Sequence, residues 1–285
     1  LKKIFKMIKK ILKYSILILI CWLFCGCRQA ERTENQPEIA VSNSYLLSVV
    51  KDIQPEQTNI LCLNPPGMCP GHFDISPVQV NQLGKCRSLL IFDFQHRIND
   101  ALVRFKERGL KIYTIECPAG LCLPQTYLSI AADAAAILSK DNPKKQSKYN
   151  QKLEAIEKRL NNLSQEIHSK MAQAELINVP VIASKHQAVF AQWLGLDVVA
   201  TFVGSDIETP SGINQCLEKA KDRNVRVVIA NKQEGTELAS ALAQRLNAKM
   251  AVFSNFPLAK YDSGDLDCFD YLLYDNINQL IGAAK

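Results

Sequence analysis

Four histidines stand at positions 72, 96, 168 and 186, and two of them sit where a ligand group is wanted. His72 lies in Cys69-Pro70-Gly71-His72-Phe73-Asp74, a loop between a strand-like and a helix-like segment. His186 follows the apolar run VPVIAS and precedes a helix expected to begin at Gln187, the matching place in a second half of the chain. Neutral imidazole is a good ligand for zinc and its neighbours among the divalent metals. Taken alone, either histidine reads as a capping or packed side chain. Their equivalent placement favours two ligands facing one cleft. His96 lies in Phe94-Gln95-His96-Arg97 at the same sheet edge as His72, whereas His168 has polar helical neighbours and reads as solvated.

Nucleophilic and phosphate chemistry find no support. The chain contains no Gly-x-Ser-x-Gly turn, no His-Glu-x-x-His helix and no phosphate loop. Cys117 and Cys122 are spaced too widely for a Cys-x-x-Cys redox motif. The chain is therefore expected not to be an enzyme.

The net charge of +6 suggests a polyanionic partner until it is located. Six lysines, Lys2, Lys3, Lys6, Lys9, Lys10 and Lys13, fall within the first 27 residues, which carry no acid. The remainder is neutral and lacks the basic footprint that nucleic acid requires. The lysine-rich start, the apolar run Tyr14 to Cys25 and the Gly26-Cys27 pair read as an export signal ending in a lipobox. Cys27 is then the lipid-bearing first residue of an exported, membrane-anchored protein facing the periplasm or the cell exterior.

Of ten cysteines, Cys62, Cys69, Cys86, Cys117, Cys122, Cys216 and Cys268 follow Cys27. An odd number cannot all pair, so at least one is a free thiol, a ligand or an intermolecular partner. Cys62, Cys86, Cys216 and Cys268 lie in apolar settings and read as core thiols.

The elements that must position these groups alternate. Strand-like IAV, NILCLN, SLLIFDF and KIYTI are separated by helix-like stretches, and the alternation resumes with VPVIAS, DVVATF, VRVVIAN and KMAVFS. Such alternation predicts βαβ units and parallel sheets. Between the halves, Leu153, Ile156, Leu160, Leu163, Ile167 and Met171 recur three or four apart, marking one stripe of a long helix. The expected fold class is α/β: two lobes, each a parallel sheet flanked by helices, joined by one rigid helix with a ligand cleft between them. The expected divisions are a signal peptide over 1–27, a tether over 28–38, a first lobe over 39–140, the connecting helix over 144–174 and a second lobe over 178–285.

Three segments, GHFDISPVQVNQL, SKHQAVFAQWLGLDVVATF and DNPKKQSKYNQKLEAIEKRL, resemble the zinc- and manganese-binding solute-binding proteins of ABC transporters, and the similarity runs from about Ile39 to the C-terminus. That resemblance implies capture of a divalent transition metal, zinc (Zn2+) foremost with Mn2+ or Fe2+ as alternatives, and delivery to an ABC transporter permease by a monomer. It implies His72 and His186 as ligands. The chain departs from the family where Gln125 takes the place of a histidine, and where Ser254-Asn255 stand for an aspartate, with Asp262 a looser substitute. Cys69, Cys117 and Cys122 could compensate as thiolates in a tetrahedral His₂Cys₂ site, and His96 could replace the lost imidazole. Equally, Cys117 with Cys122, or Cys69 with either, could form a disulfide. Two further readings remain: an adhesin-like or interaction lipoprotein that kept the fold with a degenerate metal site, and an exported thiol- or metal-dependent enzyme.

Overall fold

The computed structural model describes residues 37–56, 58–64, 75–95, 102–107, 109–258 and 268–285. Cys27, the signal and most of the tether lie outside these residues, as do Cys69, His72, His96 and Asp262. Among the described residues no helix is long and apolar enough to cross a membrane.

The first half builds a parallel sheet from β1 (Ile39–Val41), β2 (Ile60–Cys62), β3 (Ser88–Phe92) and β4 (Lys111–Ile115), in the order β2-β1-β3-β4. The second half repeats that order with β5 (Pro180–Ser184), β6 (Asp197–Phe202), β7 (Val227–Asn231) and β8 (Lys249–Phe253), arranged β6-β5-β7-β8. Every residue of β3 and of β7 is buried. Inner strands of parallel sheets are covered on both faces, so they read as unbroken apolar runs rather than alternating ones.

Helices α1 (Ser44–Ile53), α2 (Pro77–Leu83), α3 (Val103–Lys106) and α4 (Pro124–Asp141) belong to the first half. Their starts follow capping chemistry. The Asn43 side chain accepts from the Leu46 amide, Ser76 and Gln79 form a reciprocal capping box, and Pro77 and Pro124 occupy first-turn positions where no amide donor is missed. That proline start places Gln125 inside the first turn of α4, which begins three residues ahead of Tyr127, where the helical run YLSIAADAAAILSK opens in the sequence.

After a short turn at Pro143–Lys145 the connecting helix α5 runs over Gln146–Gln173, roughly 42 Å at 1.5 Å per residue. Tyr149, Ile156, Leu160, Leu163, Ile167 and Met171 form its buried stripe. The second half adds α6 (Lys185–Trp193), α7 (Pro210–Ala220), α8 (Glu237–Arg245) and α9 (Cys268–Ala284). The helix α6 begins at Lys185 because Ser184 caps it, its side chain accepting from the His186 amide. His186 is thus in the first turn of the helix, not before it.

The halves are fused more tightly than a bare cleft would require. One apolar cluster runs from Val41, Tyr45 and Leu90 through the α5 stripe to Val181, Ile229, Phe253 and Phe269. Tyr45 lies at its aromatic centre, within 5.9 Å of Phe92 and 5.6 Å of Tyr127 in its own half, and 6.5 Å from Phe256 and 6.1 Å from Phe269 in the other. Two smaller clusters cover the outer faces of the two sheets.

Candidate functional site

In a doubly wound sheet the chain leaves the first strand in one direction and returns on its other side, so a crevice opens at the carboxyl ends where the two crossovers diverge. The strand orders put these switch points between β1 and β3 in the first half, and between β5 and β7 in the second.

At the second switch point three side chains meet. His186 Nδ1 lies 2.7 Å from Glu234 Oε1. The Ser184 hydroxyl donates to the other carboxylate oxygen while accepting from the His186 amide at 3.3 Å. Ser184 ends β5, His186 opens α6, and Glu234 closes the turn Lys232–Glu234 that follows β7. The histidine side chain is 61% exposed and the glutamate only 16%. The hydrogen bond to Glu234 raises the His186 pKa against the opposing effect of burial. Burial pushes the Glu234 carboxyl up, but donors from His186 and Ser184 outweigh it and leave the group below its ordinary value.

Glu234 was not among the residues picked out from sequence. It is 48 positions from His186 and carries no motif. The available signal was its place in Asn231-Lys232-Gln233-Glu234-Gly235, directly after an inner strand of the second half whose residues are all buried.

Behind this triad lies a buried amide network. Gln187 Nε2 donates to Asn231 Oδ1 at 3.2 Å and to Asn255 Oδ1 at 3.0 Å. Asn276 Nδ2 donates to the Ser254 carbonyl at 2.9 Å, and its Oδ1 accepts from the Ser254 amide. Cys122, from the first half, enters the same network with its sulfur 3.2 Å from the Ser254 carbonyl and 3.4 Å from Asn255 Oδ1. The residue is fully buried, and burial drives its thiol pKa far up. Ser254 and Asn255, which stand where an aspartate was expected, thus serve as hydrogen-bonding groups to the thiol and to Gln187.

The first switch point is built differently. Ser42 donates to Gln95 Oε1 at 2.5 Å, and Asn43 Nδ2 approaches the same oxygen at 3.3 Å. Next to it, Asp93 Oδ1 accepts from the amides of Phe94 at 2.9 Å and Cys117 at 3.3 Å. Burial, aided by the Asp93 charge, pushes the half-buried Cys117 thiol up to about 12. Cys117 and Cys122 are both free, so they are not joined to each other, and Cys69 lies outside the described residues. Gln125 is exposed at the start of α4.

The shared topology corrects one step of the sequence reading. His186 follows β5, whose counterpart is β1, whereas the segment holding His72 follows β2, whose counterpart is β6. The two histidines therefore come from different loops of the repeat. Among the described residues no three His, Cys, Asp or Glu side chains are grouped to share one ion. His168 is exposed, but it is not simply solvated: Nε2 donates to the Trp193 carbonyl at 3.0 Å, and its ring lies 4.5 Å from that indole. It caps the end of α6 opposite His186.

The family model of ZnuA, the periplasmic component A of the zinc-uptake complex, matches residues 123–282, more than half of the chain. The chain belongs to the ZnuA family. The matched span takes in Gln125, the connecting helix and the whole His186 site. No curated protein sequence matches. Among solved structures, a ZnuA crystal structure is 18% identical with a TM-score of 0.70, over 88% of this chain and 100% of that one. The laminin-binding protein Lmb of Streptococcus agalactiae, described as a bifunctional protein with adhesin and metal transporting activity, is 15% identical with a TM-score of 0.69 over the same shares, 88% and 100%. A Mn-bound periplasmic metal binding protein from Candidatus Liberibacter asiaticus is 12% identical with a TM-score of 0.70, again over 88% and 100%. At these identities the likeness is one of fold. It extends the ZnuA-like fold to β1–β4 and α1–α3, which lie before the span that the family model matches.

Proposed function

We propose that this ZnuA-family chain binds a divalent transition metal as cargo at the carboxyl edges of its two sheets, and passes it to an ABC transporter permease. Zinc is the foremost cargo, with Mn2+ or Fe2+ as alternatives. One observation carries the reading: within the family-matched span, an exposed imidazole stands at the switch point of the second sheet with a largely buried carboxylate bonded to one of its nitrogens. A carboxylate behind a histidine is the arrangement that ligand histidines adopt. The proposal adds His72 as the ligand from the first half, with Cys69, Cys117 and His96 as the remaining first-half candidates.

Cys122 is the least suited of the thiols. A ligand must be a thiolate, and full burial among neutral amides opposes that charge. No covalent chemistry belongs to this reading; the protein is a carrier and not an enzyme. It is exported, anchored to a membrane through lipid on Cys27, with the signal over 1–27 and the tether over 28–38.

Equilibrium dialysis of the full-length chain against zinc, with bound metal measured by atomic emission, tests the proposal. One equivalent of zinc is expected, lost in both His72→Ala and His186→Ala. Zinc-free wild-type protein, or undiminished binding in both variants, would overturn it and leave the adhesin reading in its place.

A further inference from the structure

We propose that Glu234 is a positioning residue that decides which nitrogen of His186 meets the metal: Nδ1 keeps its proton for Glu234, and Nε2 is the ligand atom. The inference rests on the reading of His186 as a ligand and adds to it the residue that prepares that ligand.

A neutral imidazole carries one proton, and the nitrogen that holds it cannot coordinate. Glu234 Oε1, at 2.7 Å from Nδ1, is a charged acceptor that favours the proton on that nitrogen. The lone pair of Nε2, on the far side of the ring from Nδ1, then points away from the glutamate, on a side chain that is 61% exposed. In the alternative tautomer a bare Nδ1 lone pair would face a carboxylate oxygen at the same distance, which is repulsive.

Glu234 is itself held in place. Its Oε2 accepts from Ser184, the residue that caps α6, so one hydroxyl ties the glutamate and the helix carrying His186 into a single unit. Gly204, just beyond β6, supplies the room: a Cβ there would come within 3.3 Å of the Glu234 Cβ. Gly235 turns the chain away immediately after the glutamate with φ +83°. Each carboxylate oxygen already has a protein donor, Ser184 on one and His186 on the other, and these hold Glu234 in the supporting position beside the ring.

The test reads the tautomer and the affinity separately, on the full-length chain. Nitrogen-15 spectra of the histidine rings at pH 8 are expected to show His186 protonated at Nδ1, and cadmium-113 loading to give scalar coupling to Nε2. In Glu234→Ala the proton is expected to spread between the two nitrogens, and zinc affinity to fall about 10- to 100-fold. Glu234→Gln, which keeps the shape and an acceptor, is expected to fall between the two. If His186→Ala loses zinc while Glu234→Ala keeps both wild-type affinity and the wild-type tautomer, the positioning role is wrong and the ligand reading stands. Cadmium coupling to Nδ1 would also overturn it. If His186→Ala binds zinc as well as wild type, the ligand reading itself falls, and this inference with it.

Discussion

Arg159, halfway along the connecting helix, donates from Nη2 to Asp52 of α1 at 2.7 Å, while its Nε lies 3.3 Å from Asp270 of α9. One guanidinium therefore joins the helix between the halves to a carboxylate from each of them. Both carboxylates are 8% exposed, and Tyr127 also donates to Asp52 at 2.7 Å.

Removing that cation strips the charge partner from two buried carboxylates. Arg159→Leu is expected to cost about 3–5 kcal/mol in urea unfolding, and Arg159→Leu combined with Asp52→Leu to cost less than the two changes summed. Strict additivity in the double-mutant cycle would show that the ion pair contributes nothing of its own.

Gly120 marks the point where the loop before α4 touches α6. Its φ is +78°, and a Cβ there would meet Leu123 Cδ1 at 2.9 Å and Val189 Cγ1 at 3.2 Å. Gly120→Ala should lose about 1–3 kcal/mol through backbone strain and the clash together. The loss should shrink in a Val189→Ala background, measured by thermal melting. An equal loss in both backgrounds would assign the whole effect to φ.

Cys122 should be inert in the folded protein, since burial both shields the sulfur and keeps it protonated. Brief alkylation at pH 8 followed by peptide mapping is expected to find Cys122 unmodified in buffer and fully modified in urea. Cys122→Ala deprives the Ser254 carbonyl and Asn255 of a donor and should destabilise by about 1–3 kcal/mol. Rapid labelling in buffer would contradict the buried position.

Asp141, at the other end of the first sheet, accepts from Ser88, from Lys111 at 2.7 Å and from Tyr113 at 2.9 Å. Burial pushes its carboxyl up, but these donors outweigh it and leave the group below its ordinary value. A lowered folded-state pKa contributes stability that is complete above the unfolded value of about 4 and is lost as pH falls through the folded one. Asp141→Asn should accordingly be less stable than wild type at pH 7, and the gap should begin to narrow below about pH 4. Urea midpoints at pH 7 and pH 3 would decide; a gap undiminished at pH 3 means the loss does not come from the carboxylate charge.

Much of the architecture was legible because it is written in local periods. Unbroken apolar runs such as SLLIF and VVIAN mark strands buried on both faces, and the spacing of Ile156, Leu160, Leu163, Ile167 and Met171 marks a helix stripe. Helix starts were less legible. At Pro124 and Lys185 a proline and a serine cap extend the helix by two or three residues, too few to alter the hydrophobic pattern.

The site divides in the same way. His186 could be picked out because its residue type and its place after a strand are both properties of a short stretch of chain. Its partner could not. Glu234 reaches it only because β7 is laid beside β5, a choice of strand order made by packing many residues at once. The state of Cys122 is likewise decided by distant groups: Ser254, Asn255 and Asn276 surround the sulfur from more than 130 positions away. By itself, then, the sequence determined the alternation of strands and helices, the long connector and which side chains were chemically able to hold a metal. Tertiary structure alone decided which carboxylate supports the histidine and which thiol is sealed into the core, because desolvation and hydrogen bonding depend on neighbours in space, which no local pattern specifies.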